Sequence, residues 1–135
     1  MRYFTAKELV DRKTYAKMGE NALSLFNPEA LIALDDLREY LNKPITVNDW
    51  HSGGTMQWRG YRLPSCKEYS KNSQHSVGNA FDCTVQGYTA AQVRTIIRDH
   101  KDHELLRRVK RLEGSVSWLH FDLKSVDHRI QIFTT

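Results

Sequence analysis

Two short stretches of this 135-residue sequence carry side chains that could bind a metal ion. The first spans residues 73–82 and contains His75 and Asp82, and the second spans residues 118–122 and contains His120. Histidine nitrogens and carboxylate oxygens are ligands that zinc takes in proteins, and catalytic zinc sites keep three such ligands. The three side chains would supply such a set, and the hypothesis is that they converge on one ion.

Each stretch leads into an alternating run of residues that predicts a β-strand. In residues 80–85 the larger apolar side chains share one face and Asp82 lies on the other. In residues 118–123, His120 and Asp122 lie opposite Leu119, Phe121 and Leu123. Because successive strand residues point to opposite faces, each strand would bury its apolar side and present polar groups on the other. If both strands belong to one sheet, their polar faces could meet.

The rest of the chain predicts an α+β fold, with N-terminal helices packed on a small, mainly antiparallel sheet. One domain over residues 1–135 is expected, with a helical part at about 5–43 and a catalytic core at about 45–134. Residues 51–74 have no regular periodicity and predict the rim of a site. The expected helices are 5 to about 25 with a break at Gly19, one begun by Asn27 and stopped at Asn42, and 89–101; the expected strands are 45–50, 80–85, 109–113, 117–123 and 129–133, with a turn at Gly114-Ser115.

Composition is that of a soluble globular protein, with 40% apolar and 27% charged residues. No apolar run approaches the roughly 20 residues of a membrane span, and the first residues lack the apolar region of a signal peptide. We therefore expect a protein that starts in the cytoplasm, where Cys66 and Cys83 would be free thiols.

The net charge of +4 suits a polyanionic partner such as a cell wall or nucleic acid. Much of the excess lies in residues 107–111, which contain four basic side chains. A solvated surface explains such a cluster equally well, and no nucleic-acid-binding motif accompanies it. No nucleic-acid partner is expected.

The pattern Ser-x-His-x-x-Gly-x-Ala-x-Asp over residues 73–82, followed by Trp-x-His-x-Asp over residues 118–122, resembles the signature of the M15 zinc peptidases. That family includes D-Ala-D-Ala carboxypeptidases and dipeptidases and phage L-alanyl-D-glutamate endolysins, and it shares its fold with the Hedgehog signalling domain. The resemblance covers roughly residues 45–124, and residues 3–5 and 47–54 resemble a phage-encoded branch. It implies one zinc ion, held by the ligands His75, Asp82 and His120.

The carboxylate that would move the proton during hydrolysis is less clear from the resemblance. Many relatives have an acid three residues before the last histidine, where this chain has Ser117. Glu113 could lie across the predicted hairpin from His120, as the acid does in the Hedgehog-type fold. Asp122 shares the face of His120, but could instead orient that ligand. Glu113 is the favoured base and Asp122 the alternative.

Substrate-binding residues are also implied by the resemblance. Arg62 matches the family's Gly-Tyr-Arg element, and an arginine could hold a substrate carboxylate or stabilise an oxyanion. A Gly-Gly segment precedes the element here, so Arg59 is a rival. Ser73 would form a hydrogen bond near His75, and Trp118 could form a wall of the cleft.

These features together predict a zinc peptidase that cleaves stem or cross-link peptides of bacterial peptidoglycan. The expected protein is a monomeric phage or prophage endolysin that reaches the wall through a holin pore or as part of a virion. The alternative is a zinc-bearing binding module of the same fold without catalysis, suggested by Ser117.

Overall fold

Five strands form one mixed sheet in the computed structural model, which describes residues 1–135. The strand order is β1-β2-β4-β3-β5, and every neighbouring pair is antiparallel except the parallel pair of β3 and β5. The α+β prediction is confirmed, and so is the mainly antiparallel sheet. The helices are α1 Arg12–Met18, α2 Pro28–Leu41 and α3 Ala90–Asp99; the strands are β1 Ile45–Thr46, β2 Ala80–Val85, β3 Arg111–Glu113, β4 Leu119–Asp122 and β5 Gln131–Phe133.

The predicted helix over residues 5–25 is in fact three short pieces. They are a 3-10 helix at Ala6–Glu8, helix α1 and a second 3-10 helix at Gly19–Leu25. At the start of the first, the Thr5 backbone N–H donates to Glu8 Oε2 at 2.7 Å. The side chain of Asp11 then caps α1, so the chain starts a new helix rather than continuing the first. Gly19, at φ 59°, ends α1 as predicted.

Helix α2 packs on the sheet and supplies much of the core. Leu34 and Leu37 of α2 are completely buried in the same apolar cluster as Phe81 of β2 and Phe121 of β4. Full burial of each such side chain is worth about 1.5–3 kcal/mol. The apolar faces of β2 and β4 therefore point to the helices, which leaves their polar faces for the site.

The predicted strand over residues 45–50 is shorter than expected. Only Ile45 and Thr46 pair with β2, and a 3-10 helix follows at Trp50–Ser52. The buried Asn48 donates its backbone N–H to Glu8 O at 2.9 Å and its side-chain amide to Val10 O at 3.1 Å. Because these bonds tie Asn48 to the N-terminal segment, the chain leaves the sheet after Thr46.

The later elements begin and end close to their predicted bounds. The turn at Gly114-Ser115 joins β3 and β4 as an antiparallel hairpin, as expected. Cys66 and Cys83 are free and buried, and burial raises the pKa of the Cys83 thiol to about 12. None of the helices is both long and apolar enough to cross a membrane.

Gly78, just before β2, lies where the chain touches the N-terminal half. Its φ is 68°, and its carbonyl accepts a hydrogen bond from the backbone of Asn27 at 3.0 Å. A Cβ here would collide with the carbonyl oxygen of Leu25 and lie 2.7 Å from Cα of Phe26. Only glycine fits this position without backbone movement.

We expect Gly78→Ala to lower the free energy of unfolding by about 2–4 kcal/mol, from left-handed strain plus backbone displacement. Gly87→Ala is the matched control, because its φ is 84° but no atom lies within 4 Å of its added Cβ. The control should lose about 1 kcal/mol. Denaturant titration of both variants measures the difference in the free energy of unfolding. Equal losses in the two variants would show that the contact of the added Cβ with residues 25 and 26 does not destabilise the fold.

Candidate metal centre

Strands β2 and β4 bring two of the predicted metal ligands face to face. Asp82 and His120 are direct partners in the antiparallel register, so their side chains extend from the same face of the sheet. His75 lies on a 3-10 helix, Gln74–Val77, that leads into β2, and its backbone N–H donates to the Ser73 hydroxyl at 3.2 Å. Candidate ligand atoms of His75, Asp82 and His120 all lie within 4.8 Å of one another, and the three residues are only 3–6% exposed.

The spacing of these atoms suits a tetrahedral ion. His75 Nε2 lies 3.3 Å from Asp82 Oδ1, and His120 Nδ1 lies 2.8 Å from the same oxygen. Two ligand atoms on a tetrahedral zinc with ordinary bond lengths stand roughly 3.4 Å apart. Small outward shifts of the His120 ring would therefore accommodate the ion between all three groups.

The remaining ring nitrogens are held from outside the site. His75 Nδ1 lies 2.9 Å from the carbonyl oxygen of Gly60, and His120 Nε2 lies 2.8 Å from Asp122 Oδ2. Outer partners of this kind set the tautomer and ring orientation of metal-binding histidines. They leave Nε2 of His75 and Nδ1 of His120 facing the cavity.

The contacts of Asp122 indicate that this residue orients His120. Its carboxylate is fully buried and accepts two hydrogen bonds from Arg111, at 2.9 and 2.8 Å, besides one from the backbone of Lys124 at 3.1 Å. Burial would raise the pKa of Asp122, but the hydrogen bonds from His120 and Arg111 outweigh it and hold the pKa below its usual range. Both oxygens of Asp122 therefore already accept hydrogen bonds from within the protein.

The site favours positive charge. Burial opposes the charged form of His120, but hydrogen bonds to Asp122 and Asp82 overcome this and raise the pKa of His120 to about 9. Burial likewise opposes the charged form of Asp82, yet the two histidines hold the pKa of this carboxyl far below its usual range. The surrounding carboxylates thus stabilise a positive charge at this point, and a bound metal ion would take the place of the proton on His120.

Glu113 ends β3 and points its carboxylate into the cavity. Its Oε1 lies 3.9 Å from His120 Nδ1, and its Oε2 accepts a hydrogen bond from the Thr135 hydroxyl at 2.8 Å. No lysine or arginine is paired with it. Compared with Asp122, this carboxylate is free to exchange a proton with a molecule in the cavity.

Of the two candidate substrate-binding arginines, only Arg62 lines the cavity. Arg62 lines the cavity, where its Nη2 donates to Asp82 Oδ2 at 3.2 Å and its Nε donates to Trp58 O at 2.8 Å. Arg59 lies outside, because its guanidinium donates to Thr84 Oγ1 at 3.0 Å and to Val47 O at 3.3 Å. The structure therefore does not bring Arg59 to the site, in contrast to the alternative raised from the sequence.

A cavity of about 510 Å³ surrounds the centre, and every predicted site residue except Arg59 lines it. Only two of its fifteen lining residues are apolar, the aromatic Trp118 and Phe133. Such a wall suits a polar ligand. The lining residues are Arg62, Ser70, Asn72, Ser73, Gln74, His75, Asp82, Arg111, Glu113, Trp118, His120, Asp122, Lys124, Phe133 and Thr135.

Sequence reasoning missed the role of Arg111. The sequence places Arg111 in the basic cluster of residues 107–111, but the side chains of this cluster have different partners in the fold. Arg108 forms ion pairs with Glu29 and Asp36, while Arg111 forms one with Asp122. The signal was present in the predicted hairpin, because Arg111 and Asp122 are cross-strand partners. Opposite charges at such a position favour pairing.

A family model described as Peptidase M15 matches residues 2–122 of the chain. The match therefore begins well before residue 45, where the resemblance was expected to start, and it includes the N-terminal helices. No curated protein and no solved structure gives a match.

Proposed function

The chain belongs to the peptidase M15 family, and from that premise we propose that it is a zinc-dependent peptidase of bacterial peptidoglycan. Family membership establishes a metallopeptidase. The observation that carries the proposal is the convergence of His75, Asp82 and His120 beside the carboxylate of Glu113, in one polar cavity.

The donor set fits zinc, as two imidazole nitrogens and one carboxylate oxygen. His75 Nε2, Asp82 Oδ1 and His120 Nδ1 would hold the ion. Bound zinc would supply a Lewis acid that polarises the scissile carbonyl and lowers the pKa of water.

Glu113 is proposed as the general base and acid. As a water oxygen bonds to the carbonyl carbon, Glu113 accepts its proton, and it then delivers that proton to the amide nitrogen as the C–N bond breaks. The products are a carboxylic acid and an amine. Asp122 instead orients His120, because its own oxygens already accept hydrogen bonds from Arg111.

Arg62 suits a substrate that bears a carboxylate, such as a stem peptide of peptidoglycan. Two of the nitrogens of Arg62 are engaged by Asp82 and Trp58, while its Nη1 has no partner and could bind a substrate carboxylate. Trp118, which is 39% exposed at the cavity, offers a flat apolar surface beside the peptide.

The biological setting that we propose is a monomeric phage or prophage endolysin. Support comes from the resemblance of residues 3–5 and 47–54 to a phage-encoded branch, and from a net charge of +4, which suits an anionic wall. Such a protein would accumulate in the cytoplasm of the host cell and reach the wall through a holin pore or within the virion.

The test combines metal analysis with product analysis. Purified protein should contain about one zinc ion per chain and release stem or cross-link peptides from purified sacculi, as identified by mass spectrometry. A chelator should abolish release and added zinc should restore it. Zinc-free protein, or release that persists in chelator, would overturn the proposal.

A zinc-bearing binding module is the second candidate. Ser117 stands where many relatives place an acid, and it is exposed outside the metal cavity. If zinc-loaded protein binds sacculi but releases no peptide from them, this candidate is supported and the peptidase fails.

Asp122→Asn is expected to weaken zinc binding about 10- to 100-fold, because the neutral amide holds His120 less firmly. At saturating zinc the variant should keep activity within about tenfold of the wild type. Competition with a coloured chelator measures the affinity, and Asp127→Asn, an exposed carboxylate, is the control. Complete loss of activity in the fully zinc-loaded variant would make Asp122 the stronger base candidate.

A further inference from the structure

Strand β5 lies beyond the residues that the family model matches, yet it borders the metal cavity. Phe133 in the strand and Thr135 just after it both line the cavity. The match ends at residue 122, so both residues lie outside the matched range.

The backbone of β5 is held in register with the end of β3. Phe133 is the parallel partner of Glu113, and the Gly114 N–H donates to the Phe133 carbonyl at 2.8 Å. At the other end of the pairing, the Gln131 N–H donates to Lys110 O at 3.0 Å. The position of β5 relative to Glu113 is therefore set by main-chain hydrogen bonds.

Two side chains extend from this frame to the reacting groups. The Thr135 hydroxyl donates to Glu113 Oε2 at 2.8 Å, while the other oxygen of Glu113 faces His120 Nδ1 at 3.9 Å. The Phe133 ring packs edge-on against the His120 ring, with 5.6 Å between centroids. The guanidinium carbon of Arg111 lies over the Phe133 ring, 3.9 Å from its centroid. Phe133 of β5 thus contacts the candidate ligand His120, and Thr135 just after the strand contacts the candidate base Glu113.

We propose that Thr135 is a positioning residue for Glu113, an inference that rests on the proposed function. A glutamate side chain has three rotatable bonds and samples several rotamers unless a partner restrains it. The Thr135 hydroxyl holds one carboxylate oxygen and turns the other towards the metal centre, where the proton is transferred. Correct orientation of a catalytic group is a large part of its effect on rate.

The experiment compares four variants on stem-peptide fragments prepared from purified peptidoglycan. Thr135→Val removes the hydroxyl with little change of shape and should lower kcat about tenfold, with KM changed less than twofold. Thr135→Ser keeps the donor and should restore kcat to near the wild-type value. Thr134→Val is the matched control, since its exposed hydroxyl makes no hydrogen bond, and Glu113→Gln is the inactive reference.

The outcomes separate the two proposals. If Thr135→Val matches the wild type while Glu113→Gln is inactive, the positioning role is overturned and the peptidase stands. Equal losses in Thr135→Val and Thr135→Ser would also overturn it, because the hydroxyl would then not be the cause. Wild-type rates in Glu113→Gln would overturn Glu113 as the base and this inference with it, while an inactive wild type would overturn the proposed function as well. Zinc content and melting temperature should be unchanged in both Thr135 variants.

Discussion

Glu113→Gln is expected to bind zinc as tightly as the wild type and to release stem peptides about 10²- to 10⁴-fold more slowly. The amide keeps the shape of the side chain and its hydrogen bond from Thr135, but it cannot accept a proton from water. Because Glu113 is not among the three clustered metal ligands, the ion should be unaffected. The loss should therefore appear in kcat alone.

Initial rates against stem-peptide concentration, with zinc content measured on the same samples, test this expectation. The matched comparison is Asp122→Asn, which alters the other carboxylate suggested by the sequence and should change zinc affinity rather than turnover. Near-normal turnover in zinc-loaded Glu113→Gln would show that the proton is carried by another group.

His75→Ala should reduce bound zinc from about one ion per chain to near zero and abolish peptidase activity. His75 provides one of only three ligands, and two ligands retain zinc poorly. Zinc that binds only the folded state should also raise the free energy of unfolding of the wild type. The increase is about 4 kcal/mol when the free zinc concentration is a thousand times the dissociation constant. The variant should lose this stabilisation.

Metal analysis and thermal unfolding with and without added zinc measure both effects. His51→Ala is the control, because His51 is exposed and does not line the cavity. If His75→Ala still binds one zinc ion and still melts at a higher temperature when zinc is added, His75 is not a ligand.

Much of the site was predictable because strand periodicity is a local property. Alternation alone placed Asp82 and His120 opposite their apolar neighbours, and the structure has both residues on the polar face of the sheet. Their position as direct partners depends on the register between β2 and β4, two strands that are far apart in the sequence. No local pattern contains that information.

Predictions failed where specific hydrogen bonds, distant or local, override the periodicity of a segment. The expected strand over residues 45–50 is lost because Asn48 binds the N-terminal segment, and the first helix is interrupted because Asp11 caps a new one. Arg59 and Arg62 are three residues apart and could not be distinguished by spacing. The choice follows from contacts across the fold, because Thr84 binds Arg59 and Asp82 binds Arg62.

The carbonyl of Gly60 that holds His75 has its own support in the N-terminal half. A side chain on Gly60 would collide with the carbonyl of Leu9, and the same carbonyl accepts the backbone N–H of Tyr61 at 3.1 Å. Gly60, whose carbonyl contacts His75, thus packs directly against Leu9 in the segment before α1. Anyone transplanting this metal centre onto another scaffold, or exchanging N-terminal halves between relatives, would have to move Leu9 and Gly60 together as a matched pair.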